Sequence, residues 1–319
     1  MKVLFLGSSR FSAIVLEKIL SDGVNVSAII TQPDRPSGRG HKLTPTEVKV
    51  MAEKEGIACY TFDRLRNYQE EVEKIDYDVS VVASYGQILP NWFLDHKLCI
   101  NVHPSLLPKY RGASPLQSAI LNGDEVTGVT IMKVAPAVDS GDIILQEEFK
   151  MQGEYYSQLE EKLAVLGGEM VQKVLGQIQD ETITFTPQEH DKATFVAKFE
   201  KQDGKLDFSL SAKELENRVK ALSETVGTYI QLGEEQIKVV QAVVAGEDCL
   251  QGQIANNKKK FIIGAKEGAL EILQCKAPSG KTVRGQDYLN GHNEILGAKV
   301  NWFYQTLQKK NFLYMLCKN

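Results

Sequence analysis

Short apolar runs alternate with amphipathic stretches through the first half of the chain. "KVLFLGS" is apolar and ends in Gly and Ser, the pattern of a buried strand running into a turn. "FSAIVLEKILSDG" follows, with apolar residues at Ile14, Val15, Ile19 and Leu20 and a closing Gly23, so an amphipathic helix with a glycine stop is expected. "NVSAIIT" predicts a second strand, "PTEVKVMAEKEG" a helix with proline near its start, and "CYTF" a short third strand. "NYQEEVEKI" reads as helical, and "DVSVVASYG" and "KLCINVH" as further strands. Strands alternating with helices in this way imply an α/β fold, a doubly wound parallel sheet with helices on both faces.

"SPLQSAILNGD" predicts a helix that stops at Gly123. "GVTIMKVA" and "GDIILQEEF" are separated by too short a loop for a helical crossover, so they should form an antiparallel pair at the sheet's edge. "YYSQLEEKLAVLGGEMVQKVLGQIQ" is a long helical stretch, with an interruption expected at Gly167 and Gly168. Then the texture changes. "TITFTPQEHDKATFVAKFEKQDGKLDF" is polar and lacks helical periodicity, as a linker would. Beyond it come a capped helix, "SAKELENRVKALS", and closely spaced alternating segments: "GTYIQLG", "QIKVVQAVVA", "GQIA", "KKFIIGA" and "ALEILQCKAP". Short strands with glycine turns suggest a small β-barrel, and "RGQDYLNG" a last helical turn. The expected organisation is an α/β domain over residues 1–186, a linker over 187–206 and a small barrel domain over 207–319.

A length of 319 residues suits two domains, and 43% hydrophobic with 24% charged residues is ordinary for a globular protein. No apolar run reaches the roughly 18 residues that would span a bilayer, so no membrane association is expected. The start, "MKVLFLGSSR", lacks a small-residue cleavage pattern and reads as a first strand. Five dispersed cysteines with no CxxC spacing favour reduced thiols over a disulfide framework or a zinc site. The net charge of −4 is unevenly spread: residues 205–319 carry 16 Lys+Arg against 12 Asp+Glu, and residues 1–204 carry 21 against 29. A basic C-terminal part on an acidic protein suits a polyanionic partner, or is chance scatter around the Lys run at 258–260.

Three features converge on the ends of the expected strands. In "NVHP" the period of two turns Asn101 and His103 to one face, and Pro104 ends the strand. The loop in "VAPAVDSGDII" carries Asp139 beside Ser140 and Gly141. In "ASYGQILP" Gly86 would let the backbone come close to a ligand. The first strand ends in "GSSRF" and not in GxGxxG, so NAD is not expected. Ligands of open α/β sheets sit at the carboxyl ends of the strands. Asn, His and Asp include no hydroxyl or thiol nucleophile, so the attacking group would belong to the substrate. An Asn amide can donate to a carbonyl oxygen as it becomes an oxyanion. A His can share that bond or move a proton, and an Asp can orient the His or accept a proton from an attacking amine. Together they suit acyl transfer to an amine with no covalent enzyme intermediate. The same residues also suit a plain turn-forming polar cluster. No HxH, HExxH or Cys/His cluster supports a metal. "TQPDRPSGRGHKLTPTEVK" at 31–49 is a Gly/Pro loop with cations Arg35, Arg39, Lys42 and Lys49, able to clamp phosphates or simply to be solvated.

The combination of "NVH" at 101–103, "SLLPKYRG" at 105–112 and "VDSGDI" at 138–143 resembles the folate-dependent formyltransferases. Within them, "TQPDRPSGRGHKLTPTEVK", "DGKLDFSLSAKELENRVKAL" and "APSGKTVRGQDYLNGH" resemble the branch that acts on methionyl-tRNA. The resemblance covers nearly the whole chain. It implies a Rossmann-like catalytic domain followed by an OB-like tRNA-binding domain. It implies transfer of a formyl group from 10-formyltetrahydrofolate to the α-amine of methionine on initiator tRNA, without metal, in a monomer of the bacterial cytoplasm. Carried over by position, Asn101, His103 and Asp139 would be catalytic. Tyr85, Gly86, Gln87, Ile88, Leu89, Pro90, Ser105, Leu106, Leu107, Pro108, Val138 and Gly141 would bind the folate. Arg39, with Arg35 and Lys42 in support, would reach the tRNA. Three positions depart from the pattern: Pro104 stands where a small residue is usual, "SETVGTY" lacks a Trp-Pro pair, and "GSSRF" replaces a Gly-Thr-Pro loop. The alternatives are formylation of a sugar nucleotide or glycinamide ribonucleotide, a non-catalytic RNA-binding protein, and hydrolysis of the formyl donor.

Overall fold

Val3–Gly7 (β1) is buried at every position, as a strand covered on both faces must be. In the computed structural model, which describes residues 1–37, 42–277 and 280–300, it lies inside a seven-stranded sheet. The elements around it follow in chain order: α1 (Arg10–Ser21), β2 (Val26–Thr31), β3 (Arg35–Ser37), β4 (Lys42–Thr44), α2 (Glu47–Glu55), β5 (Cys59–Thr61), α3 (Gln69–Glu73), β6 (Val79–Ala83), α4 (Asn91–His96) and β7 (Cys99–His103). Then come β8 (Arg111–Gly112), α5 (Pro115–Asn122), β9 (Val126–Lys133), β10 (Ile143–Lys150), α6 (Tyr156–Gln179) and β11 (Phe195–Val196). The strand order is β10-β9-β7-β6-β1-β2-β5. The pairs from β5 to β7 are parallel, and β9 and β10 join antiparallel. This is the mixed α/β architecture with a largely parallel central sheet that the hydrophobic pattern implies. The order reverses between β1 and β6, a crevice where such sheets take ligands.

The chain divides into two compact units. One comprises Met1–Leu116, Glu125–Gln152 and Ser157–Lys198; the other comprises Gln117–Asp124, Gly153–Tyr156 and the chain from Phe199 onward. The division between Lys198 and Phe199 falls inside the stretch expected to be a linker. That stretch is structured: Gln188 is buried, and β11 pairs in parallel with β8.

Three further differences from the expected elements have local causes. The 31–49 segment is not wholly irregular, because Arg35–Ser37 pairs antiparallel with Lys42–Thr44 as a ribbon. The helix at 156–179 runs without interruption through Gly167 and Gly168. A Cβ at Gly167 would stand 2.6 Å from Val102 Cγ1, and one at Gly168 2.6 Å from Lys18 Cβ. The two glycines therefore serve close packing, and the helix hydrogen bonds hold them in register. The short helix α4 has a weak sequence signal, with Pro90 as its N-cap and buried Phe93 against the core.

The second unit contains α7 (Ala212–Leu222), β12 (Thr228–Leu232), β13 (Glu235–Val244), β14 (Ile262–Gly264), β15 (Ala269–Lys276), β16 (Val283–Arg284) and α8 (Gly285–Gly291). Ser211 and Glu214 form a capping box at the start of α7, whose apolar face packs Leu215 and Val219 into a core with Ile237, Phe261 and Ile272. The sheet is antiparallel in the order β12-β13-β15-β14, with β16 also on β15. "GQIA", expected as a strand, contributes only isolated bridges.

Candidate active site

The site is built where β1, β6 and β7 end. α1 starts on a capping box in which the Ser9 and Ser12 side chains each bond the other's backbone. Ser12 Oγ also donates to Ala83 O at 2.5 Å, tying the start of α1 to the end of β6. Gly7 makes this approach possible, since a Cβ there would stand 2.6 Å from Ser12 Cβ. Beyond β6 the backbone turns sharply, with positive φ at Ser84 and Gly86. Gln32 Nε2 donates to Tyr85 O at 2.8 Å and holds that turn against the end of β2.

On β7, Asn101 pairs with Met132 and His103 with Thr130 of β9. Both side chains face away from Val102, whose own face meets Gly167. His103 is buried, and its Nε2 lies 3.0 Å from Tyr110 O. A carbonyl only accepts, so Nε2 carries the hydrogen and Nδ1 is left for proton exchange. Nδ1 stands 3.7 Å from Asp139 Oδ2. Asp139 comes from the loop between β9 and β10, with φ at +46°. Its Oδ2 accepts the Gly112 N–H at 2.7 Å. Asn101 is half-buried, and its side-chain amide makes no protein hydrogen bond among the described residues. The three residues expected to be catalytic thus gather from β7 and the β9–β10 loop.

The residues expected to bind folate divide into two kinds. Ile88 is 91% exposed and Val138 62% exposed, two apolar side chains that present uncovered surface beside the strand ends. Others are built into the walls. Tyr85 is buried, which pushes its phenol well above the ordinary range, and its hydroxyl has no protein partner among the described residues. Gln87 accepts from Leu65 N at 2.9 Å and donates to Phe62 O at 2.8 Å, so its amide fastens the loop. Ser105 and Leu107 are buried: Ser105 Oγ donates to Lys109 O at 2.6 Å, and Leu107 N donates to Thr130 Oγ1 at 3.1 Å. Leu106 packs over Gly128, and Pro108 follows a cis peptide bond. Leu89 packs against the core and Pro90 caps α4. Gly141 lies so close to Lys133 O that no side chain fits there.

Arg35 is exposed on β3 and lines a groove of about 380 Å³ together with Ser8, Thr44, Tyr85 and Gly86. The groove places one cation of the ribbon beside the loop expected to hold folate. Lys42 lies in β4, and Arg39 falls outside the described residues. Lys49, also in the row of cations, is bound to Asp34 at 2.9 Å.

Sequence reasoning missed two residues. Arg111, in the "KYRG" stretch, is buried and donates through Nε and Nη2 to Gln188 Oε1 at 3.1 and 2.6 Å. Gln188 in turn donates to Asp139 O and Gly141 O at 2.9 and 2.7 Å. Nothing in the pattern around Gln188 signals a buried amide. His190 accepts from Arg111 Nη2 at 2.9 Å. Among the described residues no group of three or more His, Cys, Asp or Glu side chains could hold a metal, and no helix is long and apolar enough to cross a membrane.

Comparisons with known proteins follow the same outline. The formyl transferase family matches residues 1–175, and the formyl transferase C-terminal domain matches residues 198–293. The methionyl-tRNA formyltransferase of Sulfurihydrogenibium sp. is 37% identical over 309 residues, covering 94% of this chain and 99% of its own length. That of Lactobacillus johnsonii is 38% identical over 308 residues, covering 93% and 98%. The fold is shared with WlaRD, a sugar 3N-formyl transferase solved with dTDP and 5-N-formyl-THF, at a TM-score of 0.66 and 18% identity, covering 88% of this chain and 99% of that one. It is shared also with Aquifex aeolicus HypX in complex with tetrahydrofolic acid, at a TM-score of 0.65 and 17% identity. That likeness takes in 93% of this chain but only 48% of HypX. With a match that runs through both structural units and relatives aligned over nearly their whole length, the chain belongs to the formyl transferase family.

Proposed function

We propose that this chain transfers the formyl group of 10-formyltetrahydrofolate to the α-amino group of methionine on initiator tRNA, the modification that prepares that tRNA to start translation. The observation that carries the reading is the near full-length identity with methionyl-tRNA formyltransferases of two bacteria. The gathering of Asn101, His103 and Asp139 supports the chemistry.

The residues present suit a folate. Ile88 and Val138 offer exposed apolar surface that a flat ring system would cover, and the 84–90 loop is held rigid by Gln32 and Gln87. When bound, the folate supplies the formyl group. Asn101 donates an amide N–H to the formyl oxygen as negative charge builds there, an interaction worth about 10²- to 10³-fold in rate. His103 supports the same oxygen or relays a proton through Nδ1. Asp139 accepts a proton from the attacking amine, directly or through water. The amine nitrogen forms the new bond to the formyl carbon, the bond from that carbon to folate N10 breaks, and N10 leaves with a proton. Neither substrate is oxidised.

We assign the first unit to this chemistry. We read the second as an OB-like barrel that takes a further part of the tRNA, supported by the +4 balance of residues 205–319. Arg35, Arg39 and Lys42 of the ribbon segment would bind acceptor-end phosphates. A protein of this kind works in the bacterial cytoplasm. The test is to incubate the purified protein with 10-formyltetrahydrofolate and methionine-charged initiator tRNA and to detect formylmethionine by mass. Free methionine, glycinamide ribonucleotide and an amino-sugar nucleotide run in parallel. Formylation of the charged tRNA is expected; formylation only of a small amine overturns the tRNA reading.

A further inference from the structure

We propose that Gln188, held by Arg111, is the positioning residue for Asp139. The inference rests on the reading of Asp139 as the group that takes the amine's proton.

Asp139 sits in the left-handed region, φ +46°, where a residue with a Cβ is strained and stays only if its surroundings hold it. On its side-chain end the restraint is the Gly112 N–H. On its backbone end the restraint is Gln188. The two hydrogens of Gln188 Nε2 go to Asp139 O and to Gly141 O, so one amide spans both sides of Ser140 and pins the turn. Its oxygen accepts twice from Arg111, from Nε and from Nη2. A guanidinium has no acceptor, so Arg111 dictates which end of the Gln188 amide faces it, and the NH₂ end must point at the loop. Arg111 is itself oriented by His190 Nδ1 and lies over the ring of Phe195, with Cζ 5.9 Å from its centroid.

Every hydrogen-bonding position of a 5% exposed amide is thereby used, and its rotation is closed off. The same chain of contacts fixes Gly112 from its other side, because β8 is paired with β11: Arg111 N donates to Thr194 O and Ala113 N to Val196 O. Both restraints on Asp139 therefore depend on the segment after α6. The packing of that segment within the first unit sets where the Asp139 carboxylate stands relative to His103.

The discriminating variant is Gln188→Glu. It keeps the size of the side chain and its contact with Arg111, now as an ion pair, but it removes both donors and faces two carbonyls with an oxygen. Single-turnover formyl transfer to methionyl-tRNA, steady-state constants and melting temperature are measured for wild type, Gln188→Glu, Asp139→Asn and the double variant. Gln188→Glu is expected to lower kcat about ten- to a hundredfold through displacement of Asp139. The KM for the tRNA should stay within about twofold. Added to Asp139→Asn, it should cost nothing more, since it acts only through that carboxylate. An unchanged kcat in Gln188→Glu, or losses that multiply in the double variant, would overturn the proposal. If Gln188→Glu does not fold, Arg111→Lys, which keeps the charge and loses the fork, is read by the same criteria. Failure of the wild type to formylate the tRNA defeats the underlying reading instead; activity that depends on Asp139 but not on Gln188 defeats this proposal alone.

Discussion

Gly167 and Val102 meet across the back of the site: a Cβ at position 167 would stand 2.6 Å from Val102 Cγ1. Val102 lies between Asn101 and His103 on β7, so the helix surface at Gly167 sets how far β7 can recede. A branched side chain fixed on a strand cannot swing away from such a contact. Gly167→Ala should therefore destabilise by about 1–3 kcal/mol, despite alanine's better helix propensity. Thermal unfolding would show a lower midpoint, and kcat of the folded fraction should fall as β7 shifts. An unchanged melting temperature with full activity would show that β7 yields without consequence.

The side-chain amide of half-buried Asn101 makes no protein hydrogen bond among the described residues, whereas Asp139 is held by Gly112. Asn101→Ala should lower kcat by about 10²- to 10³-fold, the usual loss of one oxyanion donor. The KM for either substrate should change far less, because the lost bond strengthens only in the transition state. Steady-state kinetics with each substrate varied in turn separates the two effects. A rise in KM at constant kcat would make Asn101 a binding residue.

Arg35 reaches the groove from an exposed position on the ribbon. Arg35→Ala should weaken binding of the tRNA and reduce the slope of log K against log salt by about one, as the loss of one phosphate contact does. Filter binding of charged tRNA over a salt series reads this directly. An unaltered slope would place Arg35 away from the phosphates.

Burial pushes the thiols of Cys99 and Cys275 up to about 12 from 9.0, and the phenols of Tyr77 and Tyr288 up to about 12 from 10.0. These groups are acids whose folded values lie above their unfolded ones. Their contribution to stability is complete below about pH 9 and is lost as the pH rises towards 12, where the unfolded chain releases protons that the folded chain keeps. Denaturation midpoints measured from pH 8 to 11 should fall steadily. At pH 8 a thiol reagent should leave Cys99 and Cys275 unlabelled until the protein unfolds. Rapid labelling of both in the native state would contradict their burial.

Much of the α/β unit was legible in the sequence because its strands and helices carry their own signals. β1, β2, β6 and β7 are apolar runs, α1 and α2 have caps and glycine stops, and the loop between β9 and β10 is too short for a crossover. Asn101 and His103 were legible as a pair because strand alternation puts residues two apart on one face. Asp139 stood out only as an Asp beside Ser and Gly in a loop. The barrel reading of the second unit rested on strand spacing and its OB-like character on the family resemblance; the structure supplies an antiparallel sheet with one of the expected segments reduced to bridges.

The local pattern of residues thus determined by itself which segments become strands and helices and which polar residues stand at their ends. Hydrophobic period, capping and turn chemistry act over a few neighbours and are written in order along the chain. What only the tertiary structure decided was the use of residues whose partners lie far away. Gly167 and Gly168 look like helix breakers until Val102 and Lys18 stand against them. Gln188 looks like part of a polar linker until Arg111 and the Asp139 turn surround it. A buried amide or a packing glycine gains its meaning from groups brought together only on folding, and the spacing of residues along the chain carries no trace of that encounter.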